Sequence, residues 1–305
     1  MLAALVVFLL APAAPVPTPP ENCDAAYDGV GQAQDFAKAL ACYRSQEAWA
    51  MVAIMQLNGE GTAVDVAAAR ASFARLVGAS AYQDADADKL GVIIKAREAN
   101  PTAKAPRVDF CRDVASTTVS LDPCQQRALD QQIAKDDRLV KSVRDHLPPP
   151  AQGQLDHVVK LFQPFARAEA DRAYQEYISG SIRGTFSMRQ ETMVRENFIT
   201  FIKSMAVEAT APPAPRSPFA AADRALNAVY RQKVRSYAAG ETKATAAACR
   251  TKARNAQHFW IQYRDAAADF AASRWPNSPS IKDVVKALVT EDRIRELQNS
   301  MESRN

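Results

Sequence analysis

The prolines of this chain are bunched. Eighteen occur in 305 residues, and most fall in five short stretches: PAAPVPTPP (12–20), NPTAKAPRV (100–108), LPPP (147–150), TAPPAPRSPF (210–219) and WPNSPS (275–280). A proline lacks the amide proton that a helix interior needs, and its ring clashes with the preceding turn, so such stretches end helices and serve as loops or linkers. The intervals between them are rich in alanine, the best helix former, and the whole chain has only ten glycines. With 48% hydrophobic and 24% charged residues, the chain has apolar material for a core. The expected fold class is all-α, in one to three domains.

Residues 2–14, LAALVVFLLAPAA, form an apolar run too short to span a bilayer and followed by small residues suited to cleavage. We read 1–14 as a signal peptide and 15–22 as a proline-rich linker. An exported chain, periplasmic or secreted, is therefore expected, with no transmembrane anchor. Five cysteines in such a compartment suggest two disulfides and one leftover thiol. The nearest pairs are Cys23 with Cys42 and Cys111 with Cys124, each closing a short loop that stabilises by about 3 kcal/mol in the chain-entropy model. Cys249, in an alanine-rich run, would be the free and buried thiol. There is no Cys-x-x-Cys to suggest redox chemistry or a zinc ribbon.

An internal repeat lies near the start. GVGQAQDFAKALACYRS begins at Gly29 and GEGTAVDVAAARASFAR at Gly59. Gly29, Gly31, Asp35, Ala39 and Tyr43 occupy the same offsets as Gly59, Gly61, Asp65, Ala69 and Phe73. Glycine permits the left-handed backbone after a helix, aspartate can cap the next helix, and alanine allows close approach beside an aromatic filler. These offsets resemble the SEL-type repeat, a relative of the tetratricopeptide helical hairpin. The resemblance implies two helix pairs over 23–97, within a module of 23–100. Such a unit serves either as a protein-binding groove or as a small packing and capping module.

The middle segment, 107–208, reads as an antiparallel helical hairpin or bundle. Leu129, Ile133, Leu139, Val143 and Leu147 are spaced for one helical face. LPPP and the Gln-Gly of AQGQ are expected to break the segment. Pro164 is expected to kink a second helix, Gly180 to end it, and SIRGT (181–185) to turn the chain.

The last third, 219–305, is expected to form a three-helix antiparallel bundle. Leu226, Val229, Tyr230, Val234 and Tyr237 make one stripe, Phe259 with Tyr263 and Trp260 with Arg264 fall four apart, and Val284, Leu288, Ile294 and Leu297 face inward. Three motifs occur here in order: DRALNAVY, AQHFWIQYRD (256–265) and TEDRIREL. They resemble the landmarks of the LprI lysozyme-inhibitor family. The matching positions are Leu226, Asn227, Tyr230, Gln257, Trp260, Tyr263, Arg264, Asp265, Thr290, Arg293 and Leu297. The family's usual cysteines near these motifs are missing, so packing must hold the bundle here. The resemblance implies a non-catalytic protein that inhibits lysozyme or another peptidoglycan hydrolase by occlusion. For the motif residues themselves we expect a core role, with Trp260 and Tyr263 between helices, Arg293 meeting Asp265, and Asn227 capping or bridging nearby.

Charge is uneven. Residues 1–106 hold 8 basic and 11 acidic side chains, residues 107–208 hold 14 of each, and residues 209–305 hold 16 basic and 9 acidic, an excess of 7. Outside the cytoplasm, a basic module meets an anionic envelope polymer, a lipid surface or an acidic protein rather than nucleic acid, unless its charge is simply a solvated helical face. Catalysis finds little footing. His146, His157 and His258 form no metal-binding or triad spacing, no phosphate-cradling glycine loop occurs, and Asp136-Asp137 and Glu291-Asp292 sit on expected polar faces. We expect no enzyme activity, cofactor or metal. Two readings of function stand: a hydrolase inhibitor acting through 219–305, and an envelope scaffold or adaptor that holds a protein partner through its repeats.

Overall fold

The computed structural model describes residues 22–79, 85–100, 105–177, 183–206, 212, 214–238 and 242–302. Among these, all regular structure is helical and no strand occurs. The fold is all-α. The signal peptide and nearly all of the linker expected over 1–22 lie outside the described residues, as does Gly180.

Two hairpins open the chain. Helix α1 (Cys23–Asp28) returns as α2 (Phe36–Ser45), and α3 (Trp49–Asn58) returns as α4 (Val66–Ala79). Helix α5 (Ala85–Ala99) packs against α4. The hydrogen bonds of the first turn recur thirty residues later. Gly29 N–H donates to the Ala25 carbonyl and Gly59 N–H to that of Met55, both glycines being left-handed, with φ of 71° and 72°. Asp35 Oδ1 accepts from Lys38 N at 2.9 Å, and Asp65 Oδ1 accepts from Ala68 N at 2.8 Å. Ala39 and Ala69 are fully buried. Tyr43 fills the core of the first hairpin, and Phe73 packs against that of the second.

Both expected disulfides are present. Cys23–Cys42 ties α1 to α2, and Cys111–Cys124 ties a π-helical turn, Phe110–Val114, to α6 (Thr118–Asp145). Cys249 is a buried thiol outside both disulfides, and its Sγ donates to the Gln175 carbonyl at 3.5 Å. The N-terminal hairpins are joined to α6 by Arg127, which pairs with Asp28 at the end of α1 and lies 4.7 Å over the Tyr27 ring. Tyr27 also donates to Glu60 at 2.8 Å, and Arg107 reaches both.

The middle segment breaks at LPPP as expected but not at AQGQ. LPPP does separate two helices, but the prolines start the second: α7 (Pro149–Glu176) has Pro148 as its N-cap and Pro149 in its first turn. A first-turn proline removes only an amide that had no partner there. The Gln-Gly of AQGQ then lies inside α7, where Gly153 faces open space, and the helix continues through Pro164. SIRGT is not wholly a turn, since α8 (Arg183–Ala206) already includes Arg183, Gly184 and Thr185. Thr185 donates to Asp122 of α6 at 2.6 Å, and a Cβ on Gly184 would meet that carboxylate at 2.6 Å. A third correction concerns Asp136. It is buried beside Gln132, Oδ2 lacks a hydrogen-bond partner, and burial raises its pKa.

Three helices complete the chain: α9 (Phe219–Ser236), α10 (Lys243–Arg274) and α11 (Ile281–Glu302). They pack on one another through α11, which touches both α9 and α10, and they share their core with α7 and α8. Helix α10 makes its most extensive contact with α7, while α9 packs on α11 and barely touches α10. Alanines on both sides, among them Ala166 and Ala173 of α7 and Ala253, Ala256 and Ala267 of α10, are buried and let the two backbones approach. One apolar core thus spans the middle and last segments. In it Phe162 of α7 stacks on Phe198 of α8 at 4.0 Å, and Phe165 of α7 stacks on Tyr263 of α10 at 5.7 Å.

The repeat glycines are not equivalent. A Cβ on Gly61 would fall 2.4 Å from the Phe36 carbonyl oxygen, whereas one on Gly31 would meet nothing. Both have a φ of 72°, so each alanine variant bears the left-handed penalty of about 1–2 kcal/mol. Gly61→Ala, which must also displace the start of α2, is expected to lower the melting temperature clearly further than Gly31→Ala. Paired thermal melts monitored by circular dichroism check this.

Candidate functional site

The motif residues of the last third are mostly interior. Leu226, Trp260, Tyr263, Arg264, Thr290, Arg293 and Leu297 are buried, Tyr230, Gln257 and Asp265 are half-buried, and Asn227 alone is exposed. Trp260 lies between helices, as expected, with the Arg264 guanidinium 5.1 Å over its ring. Thr290 Oγ1 donates to the Lys286 carbonyl one turn earlier, at 2.6 Å. Gln257 keeps a buried Oε1 with no hydrogen-bond partner. Two pairings differ from expectation. Asp265 bonds its neighbour Arg264 at 2.9 Å and Lys286 of α11 at 3.3 Å, not Arg293. Asn227 neither caps nor bridges helices; it donates to the Asp223 carbonyl of its own helix at 2.9 Å.

Arg293 instead enters a line of buried charges that joins four helices. Glu169 of α7 accepts from Arg293 of α11 at 2.6 Å and from Arg172 at 2.8 Å. Arg172 also pairs with Glu176 one turn on. Glu176 accepts from Lys233 of α9 at 2.9 Å and from the Tyr237 hydroxyl. At the other end, Arg293 reaches Glu296 at 3.1 Å, and Glu296 accepts from Asn197 of α8 at 2.8 Å. Three carboxylates meet three cations, so the line is formally neutral. Lys233 and Glu169 have no exposed surface, and Arg172 and Arg293 keep 1%.

Burial opposes each of these charges, and the partners decide the outcome. Desolvation would raise the Glu169 carboxyl, but Arg172 and Arg293 more than offset it and hold the group well below the usual carboxylate range. Glu176 is likewise lowered, against its burial, by Arg172 and Lys233. Glu296 goes the other way: burial raises it, and Arg293 does not compensate fully.

Sequence reading found Arg293 through the motif and missed Glu169, Arg172, Glu176, Lys233 and Glu296. The available signal was the spacing of Glu169, Arg172 and Glu176, which places three ionic groups on one face of a helix whose other inward positions are apolar. The histidines stand apart from this line: His157 and His258 are exposed, and His146 bonds the Ser142 carbonyl of α6. Glu291 accepts from Ser217 N at 3.0 Å, and Asp292 pairs with Arg295. Among the described residues, no group of histidine, cysteine, aspartate or glutamate is arranged to hold a metal ion. No described helix is long and apolar enough to cross a membrane.

These features define a class: an all-helical protein whose most distinctive residues build an ionic core, with Arg172 and Glu176 of that core bordering a cavity of about 550 Å³. Residues 216–297 match the family described as Lysozyme inhibitor LprI, which points to a non-catalytic role of binding another protein. No curated protein and no solved structure matches the chain.

Breaking the line should be costly. Removing one partner of a buried ion pair typically costs about 3–5 kcal/mol, because the other charge stays buried. Glu169→Gln is expected to destabilise on that scale, and Glu296→Gln clearly less at pH 7, since folding already disfavours its charge. Trp260→Ala, which opens a large void, is expected to cost about 3–5 kcal/mol. For Glu169 and Glu176 the folded pKa lies below the unfolded value of 4.5. Their stabilisation is therefore present above that pH and is lost as pH falls below it. Urea unfolding of the full chain should show this acid loss, and Glu169→Gln should make it shallower.

Proposed function

We propose that this protein is an exported, non-catalytic binding protein that inhibits lysozyme or a related cell-wall hydrolase by covering it. The observation that carries this reading is the family match over 216–297 together with the interior placement of its motif residues. A rigid helical body supported by a neutral ionic core suits an occluding inhibitor, which needs a fixed shape and no reactive group. The module of 23–100 is the acidic part of the chain, and it offers the face suited to a basic hydrolase.

A second reading is favoured by the repeat geometry. We take the paired hairpins of 23–100 to be SEL-type repeats, whose doubled glycine loops and aspartate caps present a surface for a protein partner. On that reading the chain is an envelope scaffold or adaptor, and the signal peptide of 1–14 delivers it to the same compartment.

Turbidity of a bacterial cell-wall suspension tests the first reading. The full chain is expected to slow lysis by lysozyme saturably near equimolar ratio. Unchanged lysis at a large molar excess would remove the inhibitor reading and leave the adaptor.

A further inference from the structure

Four of the sixteen basic residues of the last third gather in one place. A groove of about 340 Å³ runs between α9 and α10, where the two helices barely touch. It is lined by Tyr230, Arg231, Val234 and Arg235 on one side and by Arg250 and Arg254 on the other. Each helix thus contributes two arginines one turn apart, and among the described residues no carboxylate lines the groove. None of the four arginines takes part in an ion pair among the described residues. Three other arginines of the last third are neutralised: Arg264 by Asp223 and Asp265, Arg293 by Glu169 and Glu296, and Arg295 by Asp292.

Like charges one turn apart destabilise a helix, and here two such pairs face each other across a groove. Folding gains nothing from that arrangement; an anionic ligand would. The guanidinium fork matches a carboxylate or a phosphate in two-point contact. The volume falls at the small end of ligand sites, which begin near about 300 Å³. The apolar lining separates the two chemistries. Tyr230 and Val234 supply an apolar part of the lining beside the four arginines, and a phosphate polymer would engage the arginines alone. A peptide that alternates acidic and apolar side chains engages both.

We propose that the groove between α9 and α10 binds an acidic peptide segment of a partner protein, its carboxylates held by Arg231, Arg235, Arg250 and Arg254 and an apolar side chain seated on Tyr230 and Val234. This site does not depend on the hydrolase reading, because a basic lysozyme is repelled from it; either can fail without the other.

The test is fluorescence anisotropy of the full chain with a short labelled peptide in which glutamates flank leucines. Saturable binding is expected, weakening about tenfold or more as salt rises from about 0.05 M to about 0.5 M. The double variant Arg231→Gln/Arg254→Gln should weaken binding by about tenfold or more, because two charge-assisted contacts are lost. Its melting temperature should be unchanged or higher, since repulsion is relieved. Replacing the leucines by serine should also weaken binding. The proposal is overturned if no saturable binding occurs at low salt, if the double variant binds as well as the parent, or if the serine peptide or short-chain polyphosphate binds as tightly as the leucine peptide.

Discussion

The Glu169 carboxylate is the point on which the larger half of this molecule depends. It lies on α7 with no exposed surface, between Arg172 of its own helix and Arg293 of α11. Taking a carboxylate out of water is expensive, and the expense is offset only where the cations are close and well placed. That requirement fixes more than one contact. Arg172 must also reach Glu176, Glu176 must receive Lys233 and Tyr237 from α9, and Arg293 must be steadied by Glu296, which Asn197 of α8 holds. A helix sliding by one residue would unpair several buried charges at once. Apolar packing alone tolerates such slips more readily, because leucine against leucine has little directional preference. The ionic line therefore selects one register for α7, α8, α9 and α11 together.

This explains why the last third is not a free-standing bundle. Sequence periodicity correctly places its helices, and the alanine-rich run from about Thr242 onward does form one long helix. Periodicity says which face of α10 is buried, but not against what. The partner, α7, lies about 95 residues earlier, and the charges that link the two segments are divided between them. Read alone, α7 shows Glu169, Arg172 and Glu176 on one face but names no partner for them, and Lys233 looks like an ordinary surface charge when α9 is read alone. Only their juxtaposition gives them meaning. The pairing of Arg293 with Glu169 rather than Asp265 is a consequence of the same long-range geometry.

Local signals fared better where the physics is local. The repeat at Gly29 and Gly59 is legible because backbone conformation, helix capping and close packing are set within a few residues, and the same hydrogen bonds appear in both copies. The disulfides follow from short loops between neighbouring helices. Proline misled in one respect. LPPP ends one helix and begins the next, because a proline near an N-terminus removes no hydrogen bond that the helix would have made. The glycine of AQGQ likewise breaks nothing, since α7 is held by its buried face further along.

A neutral interior has a consequence for recognition. Of the excess of seven positive charges in residues 209–305, the buried line takes two cations, Lys233 and Arg293, and one anion, Glu296, leaving an excess of about six outside it. The carboxylates that neutralise Lys233 and Arg293 come chiefly from the preceding segment. The core can thus be electrically satisfied while the surrounding surface stays strongly basic, with its unpaired arginines gathered along α9 and α10. Residues 1–106 carry the opposite bias, 8 basic against 11 acidic. The chain thus carries opposite charge biases in its first and last thirds, and the internal ion pairs keep either field from loosening the fold. Affinity at the basic part would then follow ionic strength closely, whereas the core, screened from solvent, would not.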